Sequence, residues 1–231
     1  MFKTRATDPE RIDTGDYTIE EYERFLREIR FINQKLGDRS ALEATLFSEI
    51  ERADLKGFSV LDVGAGSGEL LGSIAEFATR TRRTTKLVGL DLNQLSVKEI
   101  ALESRIHPEI APVQGDALSL PFADGSFDYT ICSLFTHHLT DEQIAPMLSE
   151  MSRVSRRGIL VIDLERSAKA WVLYKLFCIA YRISPLVRHD GSLSIRKGFT
   201  CDEMRRFGIA AQLENVSTKK HAPYRVVMKT F

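Results

Sequence analysis

Cysteine is scarce in this chain. Its 231 residues include three, Cys132, Cys178 and Cys201, too few and too scattered for a disulfide framework or a zinc ligand set, as in a reducing compartment. A basic excess is missing as well. Thirty-two Lys and Arg balance 32 Asp and Glu, which removes the charge footprint of a nucleic-acid binder. No apolar run is long enough to span a bilayer: the longest, AWVLYKLFCIAYRI, is interrupted by Lys175. The opening MFKTRATDPERIDTGDY has no apolar signal core. A soluble, cytoplasmic protein is therefore expected, with no transmembrane segment and no nucleic acid among its partners. The length fits one domain, with room for a small cap.

What is present is a change of rhythm. The first 17 or so residues are polar and are expected to be loose. Thr18 and Glu21 then read as a capping box, followed by Ile19, Tyr22, Leu26, Ile29 and Leu36 at helical spacing, with Gly37 placed to end the helix. Ser40 and Glu43 read as a second box, opening a helix with Leu42, Leu46 and Ile50. From Phe58, the strand-like runs FSVLDV, KLVGLDL, IAPVQ, FDYTICSL and GILVIDL alternate with helical patterns. After Leu164, SAKAWVLYKLFCIAYRI reads as helix and SPLVRHDGSLSIRKGF as loop. Thr200 with Glu203 caps a further helix, and QLENVS and YRVVMKT read as two last strands. The expectation is an α/β fold, a Rossmann-like doubly wound seven-stranded sheet within residues 57–231, preceded by a helical cap in 1–56. Crossover loops run to about six residues, so 165–199 is a helical insertion after the fifth strand. It emerges where ligands bind in such sheets and is expected to form a lid.

VLDVGAGSGELL, Val60 to Leu71, carries the chemistry. Gly64, Gly66 and Gly68 after a buried strand make a loop whose backbone can touch a ligand beside a helix N-terminus. The third glycine comes one position too early for a dinucleotide fingerprint, and Glu69 stands where the last should be. With Asp62 two residues upstream, a guest bearing a cationic or zwitterionic group suits the site better than a pyrophosphate. Asp91 ends the second strand, where a carboxylate can accept from a ribose diol.

These residues, with GLDLN, GDALSLPFADGSFDYTICSL and the Thr-His-His-Leu that follows, resemble the class I S-adenosylmethionine-dependent methyltransferases. The likeness runs from about Val60 to Leu164 and is strongest to the type 11 small-molecule group, which includes quinone-ring C-methyltransferases. A looser likeness, through DLERS, the insertion and APYR, is to polyketide-associated methyltransferases. The resemblance implies a site for S-adenosylmethionine, with S-adenosylhomocysteine as product. Gly64, Ala65, Gly66 and Gly68 would pass the methionine portion and Asp62 would meet its ammonium. Asp91 would take the ribose hydroxyls, Leu92 would pack near the adenine, and Asp116 and the Ala117 amide would face the adenine edge. Ser133 would contribute backbone at the mouth. His137 and His138 follow the fourth strand and are candidate bases, since an imidazole titrates near neutrality; the resemblance ranks His138 first. Either could instead pack or cap a helix. No metal is expected.

The insertion bears on the acceptor. Between Ala168 and Ile183 the charges are Lys169, Lys175 and Arg182, a narrow stripe on an otherwise apolar helix. Substrate, the N-terminal helices, a second subunit in a homodimer or a membrane interface could cover it. Arg182, Arg188, His189, Asp190 and Arg196 could bind a carboxylate or phenolate, or be ordinary solvated loop. The expected activity is methyl transfer to a small, largely apolar acceptor of polyketide or quinone-like kind, oxygen ahead of carbon. A nicotinamide oxidoreductase, a cofactor-binding protein without turnover and a macromolecular methyltransferase are the rivals.

Overall fold

The computed structural model describes residues 2–35 and 38–231; Leu36 and Gly37, assigned above to the end of the first long helix, lie outside the described residues. Seven strands form one sheet: β1 (Gly57–Val63), β2 (Thr84–Asp91), β3 (Ile110–Gln114), β4 (Phe127–Ser133), β5 (Ser155–Leu164), β6 (Ser217–His221) and β7 (Arg225–Lys229). Their order is β3-β2-β1-β4-β5-β7-β6. The first five are parallel, and β7 runs antiparallel between β5 and β6. Alternation along each strand divides the core in two. Val60, Tyr129, Ile131, Leu160 and Ile162 face one layer, and Leu61, Val63, Cys132, Ile159 and Val161 face the other. Both faces are covered, as near-continuous apolar strands require.

Helices α1 (Arg11–Thr14), α2 (Ile19–Lys35), α3 (Asp38–Leu42) and α4 (Ser48–Arg52) precede β1, with a π-helical turn at Glu43–Phe47 joining the last two. The first layer is packed by Leu42, Leu46 and Ile50 of this run together with α5 (Glu69–Arg80) and α6 (Gln94–Glu103). The second is packed by α7 (Asp141–Val154) and α10 (Cys201–Ala210). A third, smaller core lies off the sheet, where Ile32 of α2 meets Ala170, Tyr174 and Cys178 of α8 (Ala168–Ala180) and Val187 and Ile195 of α9 (Pro185–Lys197).

Four local expectations are corrected. SPLVRHDGSLSIRK is α9, not loop: the Ser184 hydroxyl accepts from the Val187 amide and Pro185 starts the first turn. Residues 2–17 are not loose. The Arg5 guanidinium donates to the Lys197 (2.8 Å), His137 and Leu139 carbonyls and pairs with Asp141. The buried Asp190 carboxylate accepts the Arg11 and Ile12 amides at 3.2 and 3.0 Å. Ser40 does not cap: it lies inside α3, and its hydroxyl meets His221 Nε2 at 2.8 Å. The sixth strand begins at Ser217 rather than spanning QLENVS, because Gln212 and Asn215 take positive φ (57° and 55°). The Thr18–Glu21 and Thr200–Glu203 boxes form as read.

Candidate active site

Between the sheet and the third core lies a cavity of about 500 Å³. Its floor is the carboxyl end of β1 and β4, the point where the strand order reverses. Asp62, Gly64, Ala65, Gly66, Asp91, Ser133, His137 and His138 all line it. Gly68, Leu92, Asp116 and Ala117 are outside the wall. Gly68 (φ +74°) sets the start of α5, where a side chain would meet Ile100 at 3.4 Å. Leu92 is 68% exposed, and Asp116 spends one carboxylate oxygen on the Leu118 amide in its own turn.

The glycines have separate reasons. A Cβ on Gly64 (φ +71°) would lie 2.4 Å from the Phe135 ring, so that side chain is excluded by the protein itself. Phe135 is aimed there by Leu134, which takes φ +51° after β4 while its amide donates to the Ile162 carbonyl at 2.9 Å. Gly66 (φ +55°) has no described neighbour within 4 Å of the position of a Cβ, which leaves its backbone open to a guest. Its amide donates to Asp91 Oδ2 at 2.9 Å, and the other Asp91 oxygen accepts from the Asn93 amide at 2.8 Å.

Asp62 is the polar anomaly of the floor. It is 3% exposed, and its Oδ1 has no hydrogen-bond partner among the described residues. Burial, and then the charge of Asp91, push its carboxyl up to about 8. The Asp91 carboxyl is also raised by burial, with the Asn93 and Gly66 amides pulling the other way. An unsatisfied buried carboxyl next to a second acid fits an incoming ammonium, and the open Gly66 backbone fits the chain that carries it.

The histidines stand side by side, ring centroids 4.4 Å apart, in different company. His137 is 3% exposed. Its Nδ1 lies 2.7 Å from Asp163 Oδ1, and its amide donates to Asp163 Oδ2 at 3.1 Å. Burial pushes the Asp163 carboxyl up, but the charge and hydrogen bond of His137 outweigh it and hold it below its ordinary value. The Asp163 carboxylate thus engages Nδ1 and orients the ring, leaving Nε2 as the nitrogen outside that pair. His138 Nδ1 meets Asp13 Oδ1 at 2.7 Å and Glu10 Oε2 at 4.0 Å. Burial lowers the His138 pKa, but Glu10 and Asp13 together raise it above the ordinary value. Glu10, His137 and His138 place donor atoms within 4.8 Å of one another. The Lys197 ammonium already sits there, 3.3 Å from Glu10 Oε1 and 3.4 Å from Asp13 Oδ2.

Above the floor the wall turns apolar. Tyr22, Phe25 and Ile29 of α2 face Leu173, Tyr174 and Phe177 of α8. The wall also includes the Arg225 guanidinium and the Asp38 carboxylate, paired at 2.6 and 2.9 Å, both buried. The sequence reading missed Asp163, Glu10, Asp13, Asp38 and Arg225. Asp163 had a signal, an acid breaking the apolar run of β5 near its carboxyl end. The surface cluster gathers in part: Arg188, His189 and Arg196 line one shallow groove and His189 pairs with the buried Asp190 at 2.8 Å, while the exposed Arg182 does not line that groove.

Residues 60–158 match the family described as a methyltransferase domain. The demethylmenaquinone methyltransferase of Staphylococcus aureus (strain MRSA252) is 32% identical over 127 residues, 54% of this chain and 50% of that protein. Its namesake from Bacillus licheniformis is 33% identical over 128 residues, 54% of this chain and 52% of that one. The chain thus spans about half the length of the curated relatives it matches. The fold is shared with magnesium protoporphyrin IX methyltransferase of Synechocystis PCC 6803, solved with bound S-adenosylhomocysteine (TM-score 0.63, 16% identity, 91% of this chain and 94% of that one). It is shared too with an S-adenosylmethionine-dependent methyltransferase of Aquifex aeolicus (TM-score 0.57, 16% identity, 87% and 96%). Residues 60–158 are thus similar to a methyltransferase domain, and the chain shares the fold of S-adenosylmethionine-dependent methyltransferases.

Proposed function

We propose that this protein methylates a hydroxylated, largely apolar small molecule, aromatic or quinone-like, held between α2 and α8. The observation that carries the reading is the orphaned Asp62 carboxyl on the floor of an apolar cavity. One end suits a zwitterionic nucleoside and the other an oily acceptor. Asp62 would hold the ammonium of S-adenosylmethionine, Asp91 its ribose hydroxyls, and the open Gly66 backbone its methionine portion. Leu92, Asp116 and the Ala117 amide would serve the adenine outside the cavity wall. The donor supplies an electrophilic methyl carbon whose bonding pair leaves with sulfur.

Alignment of the partners is the chain's main contribution, and proton removal the second. In this reading His137 rather than His138 is the base. Nε2 of His137 takes the hydroxyl proton as the acceptor oxygen closes on the methyl carbon, and Asp163 stabilises the resulting imidazolium. Glu10 and Asp13 favour the proton-bearing form of His138, which counts against it as the acceptor of a further proton. Lys197 supplies the positive charge of that cluster, so no metal is required, and turnover is expected to survive EDTA undiminished.

Oxygen is favoured as the methylated atom because a base stands beside the cavity. The quinone-linked names of the relatives support ring carbon as the second reading, since the same deprotonation makes a phenol ring nucleophilic. Incubation with labelled S-adenosylmethionine and a panel of phenols and hydroquinones, followed by mass spectrometry, tests both. Label on oxygen supports the first and label on carbon the second. Cofactor binding with no labelled product would leave a binding protein.

A further inference from the structure

We propose that the outer face of α8 docks on an anionic membrane surface. Ala170, Tyr174 and Cys178 turn inward and are buried, whereas Val172, Leu173, Leu176 and Ile179 stand outward at three- and four-residue spacing. Leu176 is 58% and Ile179 67% exposed. A helix apolar on all sides is normally covered on all sides. Here α2 and α9 cover one side, through contacts such as Phe31 with Phe177.

Charge selects the occupant. The whole chain is balanced, yet from residue 168 to 189 no acid occurs, while Lys169, Lys175, Arg182 and Arg188 do. A groove beside the face carries Lys175, Arg188 and Arg196 over Trp171 and Ile179. Its acid, Asp8, lies 3.8 Å from Arg196. A second copy is a poor occupant, because a two-fold contact would set this cationic face against itself with no acid on α8 to offset it. Aliphatic side chains ringed by Lys and Arg match acyl chains beneath anionic headgroups. Trp171 and Tyr181, near the two ends of the helix, are of the type that sits at headgroup depth. At 13 residues α8 is too short to span a bilayer and would lie in the interfacial plane.

The face is continuous with the cavity. Leu173 is half exposed and also lines the chamber beside Tyr174 and Phe177. An apolar acceptor dissolved in the bilayer could then pass along α8 into the cavity without crossing water. That access route rests on the proposed function; the docking does not.

Trp171 is the single tryptophan, so its emission reports on α8 without labelling. The experiment is flotation of the full chain with vesicles of phosphatidylcholine, alone or mixed with phosphatidylglycerol, alongside emission spectra and S-adenosylhomocysteine binding in solution. Mixed vesicles are expected to bind the chain and shift its emission to the blue, phosphatidylcholine alone to bind at least ~tenfold more weakly, and high salt to release it. The double substitution Leu176→Glu with Ile179→Glu is expected to abolish flotation and leave the solution binding unchanged. Absence of binding, or equal binding to both vesicles, overturns the proposal. So does a concentration-dependent dimer that Leu176→Glu dissolves, which would give the face to a second copy. Loss of S-adenosylhomocysteine binding by the unaltered chain would instead strike the methyltransferase reading and leave the docking standing.

Discussion

Asp62 is the residue whose electrostatics most directly report the site. Its carboxyl is pushed up to about 8 by burial first and Asp91 second. A folded value above the unfolded one means the native protein keeps a proton that the unfolded chain releases. The matching stability is fully present below the unfolded value and is lost as pH climbs through about 8. An ammonium placed against the carboxyl reverses this, because ionisation then gains a partner. Affinity for S-adenosylhomocysteine should accordingly rise between pH 6 and 8, approaching ~tenfold per unit, with a proton released on binding. Calorimetry in buffers of different ionisation enthalpy measures both. Asp62→Asn should weaken binding and flatten its pH dependence; an unchanged slope would place the ammonium elsewhere. His137 makes a complementary prediction about turnover. His137→Ala should lower kcat by ~10²–10⁴-fold with S-adenosylhomocysteine affinity intact, and Asp163→Asn should lower it in the same direction by misdirecting the ring proton. Parallel loss of cofactor affinity would make the pair structural.

At the scale of elements, the N-terminal segment and α9 act as one latch over the histidines. Asp190 of α9 caps α1, Lys197 holds Glu10 and Asp13, and Asp13 holds His138. Asp13→Asn removes a charge that raises the His138 pKa, so an NMR titration should place that histidine at lower pH than in the parent. No movement would mean that Glu10 alone sets it. The sequence showed neither half of the latch, for different reasons. Residues 1–17 look unfoldable by composition, and their anchors lie more than a hundred positions away. In α9 the Asp190-Gly191 pair reads as a turn by local propensity, while Ser184-Pro185, a helix start, went unused. Packing explains the glycine: a Cβ at Gly191 would lie 2.1 Å from the Tyr174 hydroxyl, which donates to the Val187 carbonyl at 2.7 Å. By contrast β1 through β5 and the glycine loop were legible, because apolar runs and glycine spacing are local signals. The expected adenine contacts Leu92, Asp116 and Ala117 came from family resemblance, and the cavity wall does not gather them.

At the scale of the whole molecule, a buried ion pair ties α3 to β7. Asp38, the first residue of α3, meets Arg225 at the start of β7 with two hydrogen bonds. Both residues are nearly inaccessible, at 2% and 3%. Removing one member of such a pair strands the other charge in a poorly solvated place, which costs about 3–5 kcal/mol. Exchanging both for apolar groups of similar volume can be close to neutral, because the desolvation of two ions disappears with their attraction. Asp38→Ala should therefore lower the unfolding free energy by about that amount in urea titration. The double substitution Asp38→Leu with Arg225→Met should recover most of it. A double variant as unstable as the single one would mean that the hydrogen bonds, not the stranded charge, set the cost. Since the pair also lines the cavity, the double variant tests the site as well as the fold. On the proposed arrangement, with the cofactor held at Asp62, Asp91 and Gly66, affinity for S-adenosylhomocysteine should hold while KM for a hydroxylated acceptor changes, because the cavity has lost two fixed charges that the cofactor would not use.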